Sequence, residues 1–244
     1  LKHAVEIDAF NTATQSIERW HARRAIIALP IFIAVRVLES PPEWLRGAAA
    51  QIAYAPWLVA NIHIKAALHD RPGAAPAWDN LIHGDRQSAP GLGYVDASHQ
   101  HLQSVPGATV LTYYRALGDI TAAVGSPAQA PGVAGRHMLL GQAWQVWRDA
   151  ILAELSGPHP DLVGKVTRID LTRYGHAMAM PLPKINGQIG LWPPSNKRKQ
   201  LFKSEHIEIH HERLAFAHSD WAGYSIFEEA FTLGHFAASA GRLR

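Results

Sequence analysis

The hydrophobic and polar positions at the start of the chain predict a hairpin followed by a buried strand. Apolar and polar residues alternate over Val5–Asp8 and again over Ser16–Trp20, on either side of the turn-forming Asn11–Thr14. Ala25–Leu29 is continuously apolar, which is typical of a strand covered on both faces, and Pro30 ends it. The apolar stretch that follows this proline predicts a short helix.

Strand and helix patterns are mixed along the rest of the chain. Leu58–Lys65 alternates Leu, Ala, Ile, Ile with Val, Asn, His, Lys, which predicts a strand with one polar face. Further strands are predicted at Asn80–His83, Leu92–Asp96, Thr109–Tyr114, Val166–Arg173 and Arg213–Ala217, and a loop at Gly175–Ser195. Helices are predicted at Glu43–Ala50, at Arg136–Leu155 as one long amphipathic element, and at Ser225–Ala240. This mixture indicates an α/β or α+β class.

The composition is that of a folded chain without cysteine chemistry. The 244 residues are 48% hydrophobic and 18% charged, and none is Cys. This excludes thiolate nucleophiles, cysteine-based zinc sites and iron–sulfur ligation, and it leaves cytoplasm and periplasm open, with the cytoplasm favoured. The longest apolar run, Ala25–Val35, falls short of the ~20 residues that span a bilayer, so no transmembrane segment is expected. No signal peptide is visible, and we expect the chain to continue a longer one.

Charge gives little reason to expect a nucleic-acid partner. The formal net charge is only +3. The dense basic cluster, made of Lys197, Arg198, Lys199 and Lys203, follows a turn-like Pro-Pro-Ser-Asn stretch. A basic run of this kind is usually a solvated loop, whereas a nucleic-acid site needs a basic face.

Short motifs exclude several classes of enzyme and leave a metal site as the lesser alternative. Gly91-Leu-Gly93-Tyr-Val-Asp96 begins like GxGxxG but carries Asp96 at the third glycine, and neither GxxxxGKS/T nor GxSxG is present. His206, Glu208 and His210 would share one face of a strand and could bind zinc, but the same spacing suits an exposed strand. No metal site is therefore assigned.

Two separated segments resemble the flavin-dependent amine oxidases, a family with monoamine oxidases, polyamine oxidases and spermidine dehydrogenases. The first is Arg23-Arg-Ala-Ile-Ile-Ala-Leu-Pro30, which follows the hairpin and is similar to the strand that returns the family's chain to its flavin domain. The second is Arg213-Leu-Ala-Phe-Ala-His-Ser-Asp220-Trp-Ala-Gly223-Tyr224, continued by Glu228-Glu-Ala-Phe-Thr-Leu-Gly234. It resembles the closing pattern R-L/I-x-F-A-G-D/E, followed by G-Y/A and a helix.

The resemblance implies positions for an FAD cofactor and for the substrate. Asp220 matches the acidic residue that contacts the ribityl or pyrophosphate region, Gly223 belongs to the G-Y/A step, and Val5 resembles a residue of the adenine pocket. Ser225 and Ile226 would place backbone N–H groups near flavin N1 and the C2 carbonyl. Three residues are expected to form catalytic walls of the substrate site, and His176 is also a candidate proton acceptor: Tyr174, His176 and Tyr224.

This sequence departs from the family at two positions. The glycine after Phe-Ala is His218, and the lysine that lies near flavin N5 would fall near Asn61 or Ile62 unless Lys65 replaces it. The Gly-rich pyrophosphate turn that the family carries near its N-terminus is absent from the sequence, so we expect a C-terminal portion of a larger flavoenzyme.

The implied fold is part of an FAD/NAD(P)-binding Rossmann-like domain plus a mixed-sheet substrate domain with helices. Residues 1–40 and 206–244 would belong to the FAD-binding domain, and residues 41–205 to the substrate-binding domain. The implied function is an FAD-dependent oxidoreductase that takes a hydride equivalent from the carbon next to an amine nitrogen. A non-catalytic flavoprotein-fold binding module is the alternative. Expected partners are a small amine-like substrate and, as one option, a second copy in a homodimer.

Overall fold

The chain divides into two compact units in a computed structural model that describes residues 4–69, 77–85, 89–100, 102, 105–121, 129–182, 209–223 and 225–240. The first unit joins the two ends of the sequence, Leu1–Ala53 and Ala179–Arg244. The second unit is the continuous segment Tyr54–Met178. Each unit has its own hydrophobic core.

The first unit contains two small sheets. Strands β1 (Val5–Asn11) and β2 (Ser16–Ala22) form the predicted antiparallel hairpin. Strands β3 (Ala25–Ile27), β9 (Ile209–His211) and β10 (Leu214–Phe216) form a sheet in the order β3-β10-β9, in which β3 and β10 run parallel. The two segments with the family resemblance are thus neighbouring strands, although 186 positions separate Ile27 from Arg213 in the sequence.

Helices cover the three-stranded sheet and build the core of the first unit. They are α1 (Ile31–Val37), α2 (Glu43–Ala49) and the last helix, which we name α6 (Phe227–Ala240). The core cluster includes Ile31, Leu45, Phe216, Trp221 and Leu233, all of which are buried. Pro30 and Pro42 precede α1 and α2, where a proline costs no helical hydrogen bond.

A five-stranded sheet forms the centre of the second unit. Its strands are β4 (Ile52–Ile64), β5 (Asp79–Asn80), β6 (Tyr94–Asp96), β7 (Thr109–Ala116) and β8 (Val166–Pro181), in the order β5-β6-β7-β4-β8. The β5-β6, β6-β7 and β7-β4 pairs are antiparallel. Strand β4 therefore lies inside the sheet, between β7 and β8.

Helices pack on one face of this sheet. They are α3 (Val133–Gly141), α4 (Trp144–Ser156) and α5 (Leu162–Lys165). Leu139, Trp147 and Ile151 of the helices form one cluster with Leu58 and Ile62 of β4, and all five side chains are almost completely buried. Burial of each such side chain stabilises the fold by roughly 1.5–3 kcal/mol before entropy is counted.

Several features differ from the sequence predictions. The strand predicted to be buried before Pro30 is the edge strand β3, in which Ile26 is 49% exposed, and β4 begins six residues before the predicted Leu58. The helix predicted over Arg136–Leu155 is two helices, because Gln142 and Ala143 are extended between Gly141 and Trp144. The loop predicted from Gly175 begins as a strand, since β8 continues to Pro181 and Leu182 still donates to the Gln51 carbonyl. The strand predicted at Asn80–His83 is reduced to the two residues of β5.

Gly91 and Gly93, in the segment that matches GxGxxG only in part, have a structural role in the second unit. Gly93 has a φ of +89°, and a β-carbon there would lie 1.9 Å from the Asn80 carbonyl oxygen. A β-carbon on Gly91 would lie 2.4 Å from the Tyr113 hydroxyl. Both glycines are required by close packing next to β6.

No helix in the described part of the chain is long and apolar enough to cross a membrane.

Candidate functional site

The face of the five-stranded sheet opposite the helices, which we name the open face, carries the polar side chains of β4. Leu58, Ala60 and Ile62 point into the helix-covered core and are fully buried. The residues between them, Val59, Asn61 and His63, are only half-buried. This is the polar face that the alternation over Leu58–Lys65 predicts, and the structure confirms it.

Cross-strand pairs organise the part of the open face between β4 and β7. Asn61 lies opposite Thr112, whose hydroxyl donates to the Asn61 side-chain oxygen at 3.0 Å. Near the middle of β4, the rings of Trp57 and Tyr114 meet edge to face with centroids 6.3 Å apart. The open face therefore offers aromatic surface and hydrogen-bonding groups on adjacent strands.

A histidine–carboxylate pair joins β4 to β8 on the same face. His63 Nε2 lies 3.0 Å from Asp170 Oδ2, with the two side chains 39% and 41% exposed. Arg168 donates to the other carboxylate oxygen at 2.8 Å and is the main cause that lowers the pKa of Asp170, with a smaller contribution from His63. Asp170 is therefore ionised at neutral pH and holds the imidazole in a fixed orientation.

The predicted wall residues Tyr174 and His176 occupy alternate positions of β8, in register with Asp170. Both side chains are exposed, Tyr174 to 50%. The His176 ring lies edge-on to Tyr54, with centroids 5.8 Å apart. Arg136 of α3 donates to the intervening Gly175 carbonyl at 2.7 Å, and partial burial lowers its pKa. The strand thus presents both rings on one side, while their role in catalysis stays a prediction.

The positions considered for the family's lysine fall in different environments. Asn61 lies on the open face and is bound to Thr112, whereas Ile62 is buried in the core. Lys65 lies just beyond the end of β4, where its backbone N–H donates to the Lys165 carbonyl. Asn61 is thus the member of this set that occupies the open face within β4.

In the first unit, Asp220 is buried at the end of the β10 segment. Its side chain is 2% exposed, and one carboxylate oxygen accepts from the Ile31 N–H at the start of α1, at 3.0 Å. The His218 ring lies 3.1 Å from the other oxygen and also accepts from the Asp220 N–H. The carboxylate therefore caps a helix from a distant part of the sequence, and its predicted contact with FAD stays a prediction.

His218 fits the position where the family has glycine without backbone strain. Its backbone is extended, with φ of −173° and ψ of 148°. Any residue can adopt this conformation, so the glycine is not required here for backbone reasons. The imidazole caps the short helical turn Ser219–Trp221 instead.

The other cofactor residues predicted in the first unit lie at the start of α6 and in the hairpin. The Ser225 hydroxyl accepts from the Ala179 N–H at 2.8 Å, and the half-exposed Ile226 accepts from the Ala230 N–H as the helix begins. Gly223 has a φ of +79°. Val5 belongs to β1, which lies in the two-stranded sheet and not in the sheet that contains β10. Tyr224 lies outside the described residues.

The start of α6 is where the resemblance implies contact with the flavin end of FAD, and this contact stays a prediction. The first N–H groups of a helix have no partner within the helix, so they suit an electron-rich carbonyl group. Glu228 and Glu229 in the same turn already supply negative charge there, which disfavours a pyrophosphate at this end.

Sequence reasoning missed Asp170 and did not select His63. The alternation along β4 does place His63 on the polar face with Asn61. Asp170, however, lies 107 positions further along the chain, and nothing local marks it as the partner of His63. The metal alternative falls on residues 206–208, outside the described ones, and on His210, and no cluster of potential metal ligands occurs among the residues that the structure describes.

Sequence comparison gives no relative, whereas structure comparison gives amine oxidases. No protein-family model and no curated protein matches the chain. Cyclohexylamine oxidase from Brevibacterium oxydans IH-35A superposes with a TM-score of 0.57 at 12% identity, over 99% of this chain and 47% of the oxidase. A redesigned putrescine oxidase gives a TM-score of 0.51, also at 12% identity, over 99% of this chain and 47% of its own length.

Sequence identities this low support a shared fold and nothing more specific. The chain spans just under half the length of both oxidases. The match nevertheless extends over almost all of this chain, so it covers both units and not only a common strand–helix motif. The chain is therefore similar in fold to about half of an amine oxidase.

Proposed function

We propose that the chain is part of an FAD-dependent amine oxidase or dehydrogenase, which takes a hydride equivalent from the carbon next to an amine nitrogen. The observation that carries this proposal is the fold shared with two oxidases named for amine substrates. The two sequence segments that resemble flavin-dependent amine oxidases support it, since they form neighbouring parallel strands. The amine substrate and the FAD cofactor are inferred for this chain from those similarities.

The first unit would hold the cofactor. When bound, FAD supplies the acceptor for the hydride equivalent, and the protein contributes orientation and exclusion of water. Backbone N–H groups at Ser225 and Ile226 would face the flavin, with Asp220, Gly223 and Val5 nearer to the rest of the cofactor. Buried Asp220 would act by fixing the start of α1 as much as by direct contact.

The second unit would hold an amine-like substrate on its open face. Aromatic rings attract ammonium groups through their electron-rich faces, and Trp57 and Tyr114 offer two of them there. Tyr174, His176 and Tyr224 are proposed as further walls of the substrate site. In the proposed division, residues 1–40 and 206–244 bind FAD and residues 41–205 bind substrate, while the compact units divide at 53/54 and 178/179.

An absorbance spectrum of the full-length protein that contains this chain tests the cofactor. We expect two-banded flavin absorbance at about one FAD per chain, released on denaturation. Anaerobic addition of amines such as cyclohexylamine or putrescine should then bleach the bands. A colourless protein that takes up no added FAD would contradict the proposal.

Replacement of Tyr224 tests the substrate site. Tyr224→Ala should raise the amine concentration needed for half-maximal flavin reduction, or slow reduction, by about tenfold through loss of an aromatic wall. Tyr224→Phe keeps the ring and is the matched control. Unchanged reduction kinetics in Tyr224→Ala would remove this residue from the site.

A non-catalytic binding module is the second candidate function. The absence of a lysine at Asn61 and Ile62, where the resemblance would place one, favours it, and so does His218 at the expected glycine. A protein that binds amines but takes up no FAD would support this candidate.

A further inference from the structure

The aromatic and the charged side chains of the open face lie in different parts of it. The rings of Trp57 and Tyr114 meet between β4 and β7, and we name this part the aromatic half. His63, Asp170 and Arg168 are joined by hydrogen bonds between β4 and β8, and we name this part, with Lys65, the charged half. The two halves offer a ligand different kinds of contact.

The distance between the two halves follows from the strand register. Tyr114 lies opposite Val59 on β4, and His63 is four residues further along the same strand. At about 3.3 Å per residue, this spacing is roughly 13 Å. The uncharged pair Asn61 and Thr112 lies between. A ligand that contacts both halves is therefore an extended molecule.

The charged half has a net positive charge. Arg168 supplies one positive charge and Asp170 one negative charge, and their side chains are 2.8 Å apart. Lys65 follows the end of β4, is exposed, and adds a second positive charge. Asp79 of β5 shares the face through its pairing with Val95, but it is three strands away from β4. One positive charge is thus left over beside His63.

The Asp170 carboxylate is already bound on both oxygens. Oδ2 lies 3.0 Å from His63 Nε2, and Oδ1 accepts from Arg168 Nε at 2.8 Å. The Arg168 side chain is 70% exposed, and a guanidinium has five N–H donors, so it can bind a further acceptor. The Lys65 ammonium adds three donors. The charged half therefore offers cationic donors to a ligand, and its carboxylate is compensated.

We propose that the open face binds an amine that also carries an anionic group such as a carboxylate, with the ammonium on the aromatic half and the anion on the charged half. The ring faces of Trp57 and Tyr114 attract the ammonium, and Arg168 and Lys65 form charge-assisted hydrogen bonds with the anion. The inference rests on the proposed function for the amine. It concerns recognition of the ligand and not removal of the hydride.

Three ligands of one chain length test this selectivity. The compounds 8-aminooctanoate, octylamine and 1,8-diaminooctane share an ammonium end and differ at the other end, which is anionic, apolar or cationic. Titration calorimetry with the full-length protein that contains this chain gives their dissociation constants near pH 7 at low ionic strength. The flavin content of each preparation is determined by absorbance. Anaerobic addition of the same ligands gives the concentration needed for half-maximal flavin reduction.

The decisive quantity is the ratio of affinities for 8-aminooctanoate and 1,8-diaminooctane. We expect the aminocarboxylate to bind about tenfold more tightly, because the two ligands place opposite charges beside a positive group. The ratio should fall as salt is added, since exposed charges are screened. In flavin-loaded protein, the aminocarboxylate should also reduce the flavin at the lower concentration.

Charge variants should change this ratio in opposite directions. K65Q brings the charged half to zero net charge and should remove most of the preference, while D170N should increase it. The double variant K65Q/R168Q leaves the Asp170 charge alone and should reverse the preference. R148Q is the matched control, because Arg148 is likewise paired with a neighbouring aspartate but belongs to α4, on the other face of the sheet. Its ratio should equal that of the natural protein.

W57L should weaken all three ligands by similar factors and leave the ratio unchanged, since they share the ammonium end. A ratio near one, or tighter binding of the diamine, in the natural protein would overturn the proposal. A ratio that K65Q/R168Q leaves unchanged, or failure of all three ligands to bind to the folded protein, would also overturn it. Failure of the proposed function shows differently, as a protein with the expected ratio but without flavin.

Discussion

Asp220 connects the two ends of the first unit through one buried hydrogen bond. Its carboxylate accepts from the Ile31 N–H, 189 positions away, at the first residue of α1. Neither Pro30 nor another side chain caps this helix within its own segment. Removal of the carboxylate leaves a buried N–H without an acceptor, which is a costly state.

We therefore predict that Asp220→Ala lowers the free energy of unfolding by about 3 kcal/mol. Asp220→Asn keeps an acceptor of the same shape and should cost less than half as much. Urea denaturation followed by circular dichroism measures both. Asp149→Asn, which removes an exposed carboxylate of α4, is the control and should change stability by less than about 0.5 kcal/mol. Equal losses in Asp220→Ala and Asp220→Asn would contradict the capping role.

Asp161 makes the stability of the second unit depend on pH. Lys165 Nζ lies 2.6 Å from its carboxylate, and the His69 N–H donates to the same oxygen at 3.0 Å. The Lys165 hydrogen bond is the main cause that lowers the pKa of Asp161 from 3.8 to about 2. The folded state therefore binds this proton more weakly than the unfolded chain does.

We predict that this contribution is present above about pH 4 and is lost as the pH falls towards 2. Its size is between about 1 and 2 kcal/mol, because the pair is still partly solvated. Urea denaturation at pH 5 and at pH 2.5 measures it. The variant Asp161→Asn should lose less stability than the natural protein between these two values. An identical loss in both proteins would exclude this contribution.

Among the helices and strands, α3 has a start that is fixed by Gly132. This glycine has a φ of +81°, and a β-carbon there would lie 2.2 Å from the Tyr54 carbonyl oxygen. Gly141, at the other end of the same helix, is exposed, and a β-carbon added to it would meet no atom within 4 Å. The two glycines thus differ in the conformation and in the space that they require.

We predict opposite effects for alanine at these two positions. Gly132→Ala should destabilise the protein by about 2–3 kcal/mol, since both the left-handed backbone and the close carbonyl oppose a side chain. Gly141→Ala should stabilise it by about 0.5 kcal/mol through lower entropy of the unfolded chain. Thermal unfolding of the two variants under the same conditions measures the difference. A stabilising Gly132→Ala would show that this backbone position is misassigned.

The ends of helices and strands are not always determined by the local pattern of apolar and polar residues. The apolar spacing over Arg136–Leu155 is that of one helix, but the Gln142 carbonyl accepts from Arg173 of β8, and the chain is extended at that point. The partner of that hydrogen bond is 31 positions away, so the break cannot be derived from spacing. In β8, the segment after Gly175 contains glycine and proline and resembles a loop locally. Its continuation to Pro181 as a strand is a property of the sheet.

On the scale of the whole molecule, we expect the proposed FAD cofactor to bind and stabilise the first unit. A ligand that binds only the folded state stabilises it, by about 2.7 kcal/mol at a hundredfold excess over its dissociation constant. We predict that FAD slows hydrogen exchange of amides in β10 and α6 by about a hundredfold. Amides of α4, in the second unit, should change much less. Mass spectrometry of peptides with and without added FAD measures both, and equal protection of α4 would contradict binding by the first unit.

The properties that depend on short-range order could be predicted from the amino-acid sequence without coordinates. The hairpin, the presence of a strand before Pro30, the polar face of β4 and the mixture of helices and strands all follow from residues within a few positions of each other. The burial predicted for that strand was wrong, because its position at the edge of the sheet is decided by the tertiary fold. The order of the two motifs along the chain is visible in the sequence, and it is consistent with the fold that the chain shares with part of an amine oxidase.

The meeting of distant residues, in contrast, depends on the tertiary fold. The pairs Asp220–Ile31, His63–Asp170 and Asn61–Thr112 join positions 189, 107 and 51 residues apart. A carboxylate has no sequence signature that says whether it caps a helix, holds an imidazole or faces solvent. That choice is made by the strand order and by burial, which turn a linear pattern of polar residues into a site with defined neighbours.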